Sequence, residues 1–221
     1  MTLLGDAAML ASYDYVFVNC GTAIDDPPQD ALGNATVRAN LRSFVERGGR
    51  LFVTDLSYDF VEQVFPPYVG FVGTTADGLS AAPEPGDVAE LGVEAPLTRA
   101  TVHDGTLLAW LGGLGLLESD GSLRVEGLID HWAVMWTYDE ASTRVWLSGH
   151  VAWGEWGAES TGVAPLTVTF AHGCGRVLYT SYHTVESNRA GALNAQELVL
   201  AYLGLEIGEC LVVPEPPPEI F

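Results

Sequence analysis

Four residues of types associated with hydrolytic chemistry stand just after apolar runs of this chain. Cys20 closes YDYVFVNC, Asp55 follows RLFVT, and His183 and Glu186 follow RVLYTSY within HTVE. An imidazole can turn a neighbouring thiol into a nucleophile, and a carboxylate can orient that imidazole or act as a base. Read as a hydrolase, the chain would use His183 with Cys20 or Asp55, and Glu186 as the acid. The same residues also suit quieter roles. Cys20 lacks the G-x-C-x-G context that strains and exposes an elbow nucleophile. Asp55 and Ser57 are residue types that cap helix N-termini, and a histidine after a strand can bond loop backbone. Both readings share a crevice formed by Asn19, Cys20, Gly21, Asp55, Ser57, Tyr58 and His183, with Asp59 nearby, which we expect to bind a ligand.

Other chemistries are disfavoured. Asp25, Asp26 and Asp30 share one acidic loop, but their D-D-x-x-x-D spacing matches no calcium-binding loop. His103, His131, His150, His172 and His183 are scattered, with no H-E-x-x-H pair, so no metal is expected. No G-x-G-x-x-G opens a helix, and no cofactor is expected. All nine basic residues are arginine, which excludes a Schiff-base lysine and a Walker-type phosphate loop. A net charge of −20 repels phosphate backbones, so nucleic acid is an improbable partner.

The elements that must position these residues follow from periodicity. YDYVFVNCG, then VRANLRSFVERGG, then RLFVTDLSYDF reads as strand, crossover helix, strand, the unit of a parallel α/β sheet. Asn34 is the helix cap, Val37, Leu41, Phe44 and Val45 share one face, and Gly48-Gly49 end the helix. Such a unit sets Cys20 and Asp55 at the carboxyl ends of two strands, the edge where open α/β sheets bind ligands. SYDFVEQVF suggests a short helix stopped by Pro66-Pro67. Residues 68–105 read as loops with one or two short strands. From about Ala100 to Thr180 the character is β, with a hairpin around His172–Gly175. Alternation would place Trp132, Val134 and Trp136 on one face, and Trp146 and Trp153 lie in the same β-rich part. A last helix turns Leu198, Val199, Tyr202 and Leu203 inward.

On these residues the chain resembles the class I glutamine amidotransferase-like fold. YDYVFVNCG, a helix ending in ERGGRLFVTD, a late GCGRVLYTSYHTVE strand and a closing helix carry the resemblance, over about 13–65 and 170–207. Within that fold it is most similar to trehalose-utilization-type domains, a non-amidotransferase branch. The resemblance implies an α/β fold with a flavodoxin-like parallel sheet core and a β-rich insertion at about 68–165. We expect a single domain over 1–208 and a Pro/Glu-rich tail or linker over 209–221. Active amidotransferases carry a cysteine at the turn after the strand that LFVT represents, where this chain has Asp55. Their histidine and glutamate stand two apart, whereas His183 and Glu186 stand three apart. The resemblance therefore implies a chain that is not a glutamine amidotransferase.

Cys174 precedes the last strand and Cys210 follows the last helix. Eight strand residues rise about 26 Å and fourteen helical residues about 21 Å. If the helix returns antiparallel, the two cysteines finish at one end, which predicts a Cys174–Cys210 disulfide and an extracytoplasmic location. No charged-then-apolar leader opens this chain, and Met1 runs into what reads as a helix end, so we expect a domain cut from a longer precursor. No run is long enough for membrane insertion. The expected function is a non-catalytic ligand-binding or interaction module of a larger exported bacterial protein. Its partners would be a small molecule or carbohydrate and a neighbouring domain or protein.

Overall fold

The computed structural model describes residues 3–20, 31–66, 68–74, 89–95, 97–126, 128, 132–154, 159–182 and 193–206. Asp6 accepts from the amides of Ala8 and Met9 and opens α1 (Ala7–Leu10), which leads into β1 (Tyr15–Val18). Asn34 accepts from the Thr36 amide at 2.9 Å and opens α2 (Ala35–Glu46). Val37, Leu41, Phe44 and Val45 of α2 are buried, the stripe the periodicity predicts. Gly48 takes φ 114 past the helix end. β2 (Arg50–Thr54) then returns parallel to β1, pairing Tyr15 with Arg50 and Val18 with Val53. A 3-10 turn over Asp55–Ser57 passes into α3 (Asp59–Glu62), the short helix expected before Pro66.

The remaining elements are β3 (Val69–Phe71), β4 (Thr98–Val102), α4 (Gly105–Gly113), β5 (Leu123–Val125), β6 (Met135–Tyr138), β7 (Thr143–Trp153), β8 (Ser160–His172), β9 (Gly175–Thr180) and α5 (Ala195–Glu206). Seven strands form one sheet in the order β1-β2-β9-β8-β7-β4-β5, and β3 and β6 form a separate antiparallel pair. Only β1, β2 and β9 are mutually parallel; every later pairing in the sheet is antiparallel. The fold is α/β with a mixed sheet, and the parallel part is narrow. The β-rich stretch does not stand apart from it, because β4, β5, β7 and β8 continue the same sheet.

Helices cover the two faces unequally. On one face α2 and α3 pack over Leu51, Val53, Val168, Phe170, Val177 and Tyr179. On the other, α4 and α5 pack over Phe52, Leu147, Leu166 and Leu178. α4 departs from the β character expected after Ala100. Asp104 caps it by accepting from the Leu107 amide at 2.7 Å, and Leu107 and Leu111 are buried. The expected sharing of one face by Trp132, Val134 and Trp136 also fails. Regular strand begins only at Met135, so Trp132 and Val134 are fully buried while Trp136 is 48% exposed.

The β8–β9 hairpin forms where expected, with His172 paired to Gly175. It is pressed onto the end of α2, where Cys174 donates its amide to the Glu46 carbonyl at 2.9 Å. That placement corrects the predicted disulfide. Cys174 is a free, exposed thiol, and Cys210 lies outside the described residues. Matching the rise of strand and helix addresses height alone and ignores the face of the sheet. Cys174 sits on the α2 side of the sheet, 3.9 Å from a Cβ built at Gly48. α5 buries Val199 and Leu203 against the opposite face.

Candidate functional site

The parallel strands bring Asn19, Cys20, Asp55 and Ser57 to one edge. The link between the first two strand ends is direct. Cys20 donates its amide to Thr54 Oγ1 at 2.9 Å, and Ser57 Oγ donates to the Asn19 carbonyl at 2.8 Å. β9 delivers Tyr179, whose hydroxyl donates to the Asp55 carbonyl at 2.7 Å. Gly21, His183 and Glu186, expected at the same edge, lie outside the described residues, as do Asp25, Asp26, Asp30 and His131.

Asp55 has φ 51, the left-handed conformation, and is the one non-glycine with positive φ among the described residues. L-residues other than Asn and Asp rarely adopt it, because Cβ crowds the following carbonyl. A sharp left-handed turn between strand and helix is the backbone form of a nucleophile elbow. Here the elbow holds a carboxylate, and the residue is 0% exposed. A buried side chain offers no attack line to an external substrate. The polar groups around it are committed to holding the turn: Thr54 to Cys20, Ser57 to Asn19, Tyr179 to Asp55 itself.

Tyr58, expected to face the ligand, is 3% exposed. Its hydroxyl accepts from the Ala89 amide at 2.9 Å, and its ring packs 5.0 Å from that of Phe71. Phe71 in turn meets Tyr179 edge-on at 5.1 Å. Tyr58 therefore supports the turn from behind. Burial first, then the nearby Asp55 and Tyr58, push the Tyr179 phenol well above its ordinary range, so it stays protonated and remains a donor.

Sequence reasoning placed Asp59 near the crevice but missed the buried polar layer it forms beneath the elbow. Asp59, Glu62, Gln63 and Thr74 are all buried. Gln63 Nε2 donates to Asp59 Oδ1 at 2.9 Å, and Thr74 Oγ1 donates to Glu62 Oε1 at 2.6 Å. The signal was present: Asp59, Glu62 and Gln63 interrupt the apolar run LSYDFVEQVF, and a helix buried on all sides must satisfy each polar group it carries. Among the described residues, no group of three or more histidines, cysteines or carboxylates is placed to hold a metal.

A second missed feature borders the edge. Thr180, at the end of β9, pairs with Thr167, so the stretch Ser160–Leu166 of β8 runs beyond the parallel strands with β7 beside it. At about 3.3 Å per residue this hairpin stands roughly 20 Å above the carboxyl edge. Trp153, the last residue of β7, and Trp136 of β6 pack together with ring centroids 4.9 Å apart. Gly162 lets both indoles lie against the strand, since a Cβ there would be 3.2 Å from each.

No family model matches the sequence, and a search of curated proteins finds no match. Solved structures that resemble the fold include a cytoplasmic protein from Salmonella typhimurium, at 13% identity and TM-score 0.47 over 91% of this chain and 74% of that one. A ThuA-like protein from Bacteroides uniformis aligns at 12% identity and TM-score 0.49, over 91% and 72%. Both superpositions fall below a TM-score of 0.5, so the reading of the site rests on the geometry above.

Proposed function

We propose that the chain is a non-catalytic module that binds a small molecule, or a segment of a partner protein, at the carboxyl edge of β1, β2 and β9. The supporting observation is the elbow. A strained turn of the kind that presents nucleophiles here holds a fully buried Asp55, and the neighbouring hydroxyls brace its backbone. The elbow holds the shape of the edge with its own carboxylate turned away from solvent. Asn19, Cys20 and the raised β7–β8 hairpin supply its contact surfaces among the described residues. The relation to trehalose-utilization-type domains belongs to the same proposal and makes a carbohydrate the first ligand class to try. The free Cys174 thiol leaves the expected extracytoplasmic location without the support of a disulfide.

The competing reading, a hydrolase using His183 with Cys20, is favoured by the half-buried thiol of Cys20 just after β1. Native alkylation of Cys20 decides between them. Slow labelling unchanged by His183→Ala, together with a saturable rise in Tm with one member of a mono- and disaccharide panel, supports the module. Rapid labelling that His183→Ala abolishes would overturn it in favour of the enzyme.

A further inference from the structure

The antiparallel half of the sheet leaves one face open to solvent, and that face carries a row of basic groups. β4 alternates buried and exposed residues, with Thr98, Ala100 and Val102 inward and Arg99 and Thr101 outward. Arg99 stands directly opposite Arg124 on β5. The Ala100–Gly149 and Thr101–Ser148 pairings of β4 with β7 extend to set Arg99 opposite His150. Arg124, Arg99 and His150 thus form a row across three adjacent strands, about 5 Å apart at each step. Like charges directly opposite on neighbouring strands are destabilising. Glu118 and Glu126 lie 3.7 and 3.9 Å from Arg124 and offset its charge, so the basic character of the row is carried by Arg99 and His150.

A groove of about 500 Å³ opens beside that row. Arg99 and His150 line it together with Glu94, and Val93, Leu97 and Val151 give it apolar walls. Along the same face Ser148 Oγ lies 2.7 Å from His103 Nε2, adding a polar pair beyond the groove. Arg99 bonds Asp120 at 2.7 Å, but both side chains are more than half exposed, and a pair of that kind contributes little. Asp120 is also held by the Ser122 amide and hydroxyl, so it does not depend on Arg99. A guanidinium has five donors, and exchanging a solvent-exposed partner for a ligand anion costs little.

We infer that the groove is a binding site for a small ligand bearing a carboxylate or phosphate group, held by Arg99 and His150 with its apolar part against Leu97 and Val151. This site is separate from the parallel-strand edge and does not depend on the function proposed there. The test is an NMR titration of the intact chain at constant ionic strength, with citrate in one arm and inorganic phosphate in the other. The His150 imidazole resonance, assigned by its loss in His150→Gln, should shift saturably with at least one anion while that of His172 stays still. Arg99→Gln should weaken that binding at least tenfold with Tm unchanged, and the arm that saturates at lower concentration identifies the anion. No saturable shift in either arm, or the same titration in Arg99→Gln, overturns the inference.

Discussion

The hydroxyl of Tyr179 donates to the backbone carbonyl of Asp55 across 2.7 Å, joining the last parallel strand to the strained turn after β2. Both residues are completely buried, so water cannot replace the bond. Tyr179→Phe removes the donor and leaves the Asp55 carbonyl facing a ring. We expect a loss of about 1–2 kcal/mol, the usual penalty for orphaning a buried acceptor. Urea denaturation monitored by tryptophan fluorescence checks it, and a variant as stable as the parent would mean that the turn holds without this bond.

The backbone contribution at Asp55 can be separated from its carboxylate by comparing two truncations. Asp55→Ala and Asp55→Gly both remove the carboxylate, but only glycine takes φ 51 without steric conflict. Glycine should therefore be the better tolerated by about 1 kcal/mol. Equal stabilities, or alanine ahead, would show that the turn relaxes out of the left-handed region.

The β8–β9 hairpin meets α2 and β2 at van der Waals contact through Gly175. A Cβ at that position would lie 2.0 Å from the Val45 carbonyl oxygen and 2.2 Å from that of Gly49. Both are backbone atoms and cannot swing aside. Gly175→Ala should cost about 3 kcal/mol or more, at the upper end for an overpacked core site. A soluble variant with the parent's Tm would show that the hairpin can lift away from the helix.

What the sequence made legible depended on local pattern. α2 was readable because Asn34, the Val37–Leu41–Phe44–Val45 stripe and Gly48 agree on one answer. The hairpin was readable because Gly173 and Gly175 flank Cys174, and Gly173 takes φ 60. α4 was missed because GTLLAWLGG is apolar nearly all round, and its one clear signal is the Asp104 cap. At the site, strand ends predicted which residues meet, but periodicity does not report depth. It could not show that Asp55 and Tyr58 face inward, nor that β8 continues to Ser160 and raises a wall beside the edge. The row Arg124–Arg99–His150 is invisible in one dimension because it exists only through register.

Cys174 should be alkylated by iodoacetamide in the native protein without reductant. It is exposed at the hairpin tip, and among the described residues its backbone amide is held by the Glu46 carbonyl. Cys20 is half-buried and should react more slowly by tenfold or more. Peptide mapping after a short pulse reads both sites. A Cys174 that stays unlabelled until reductant is added would restore the bridge to Cys210 and with it the argument for export.

His172 should make stability pH-dependent in a defined window. Its Nδ1 lies 3.1 Å from the Tyr68 hydroxyl, and Phe65 meets its ring edge-on at 5.2 Å. Burial pushes the imidazole below its ordinary value of 6.5; Glu46 pulls the other way and Arg42 adds to the depression. Because the folded value is the lower one, the unfolded chain binds the proton more readily. The stability that neutral His172 supplies is therefore fully present above 6.5. It is lost as pH falls from 6.5 through the folded value, where the imidazolium can no longer accept from Tyr68. Melting curves from pH 7.5 to 4.5 should show Tm of the parent declining through this window, and His172→Gln should flatten that part of the decline. Parallel profiles for the two proteins would mean that the carboxylates alone set the acid limit and that His172 titrates without affecting the fold.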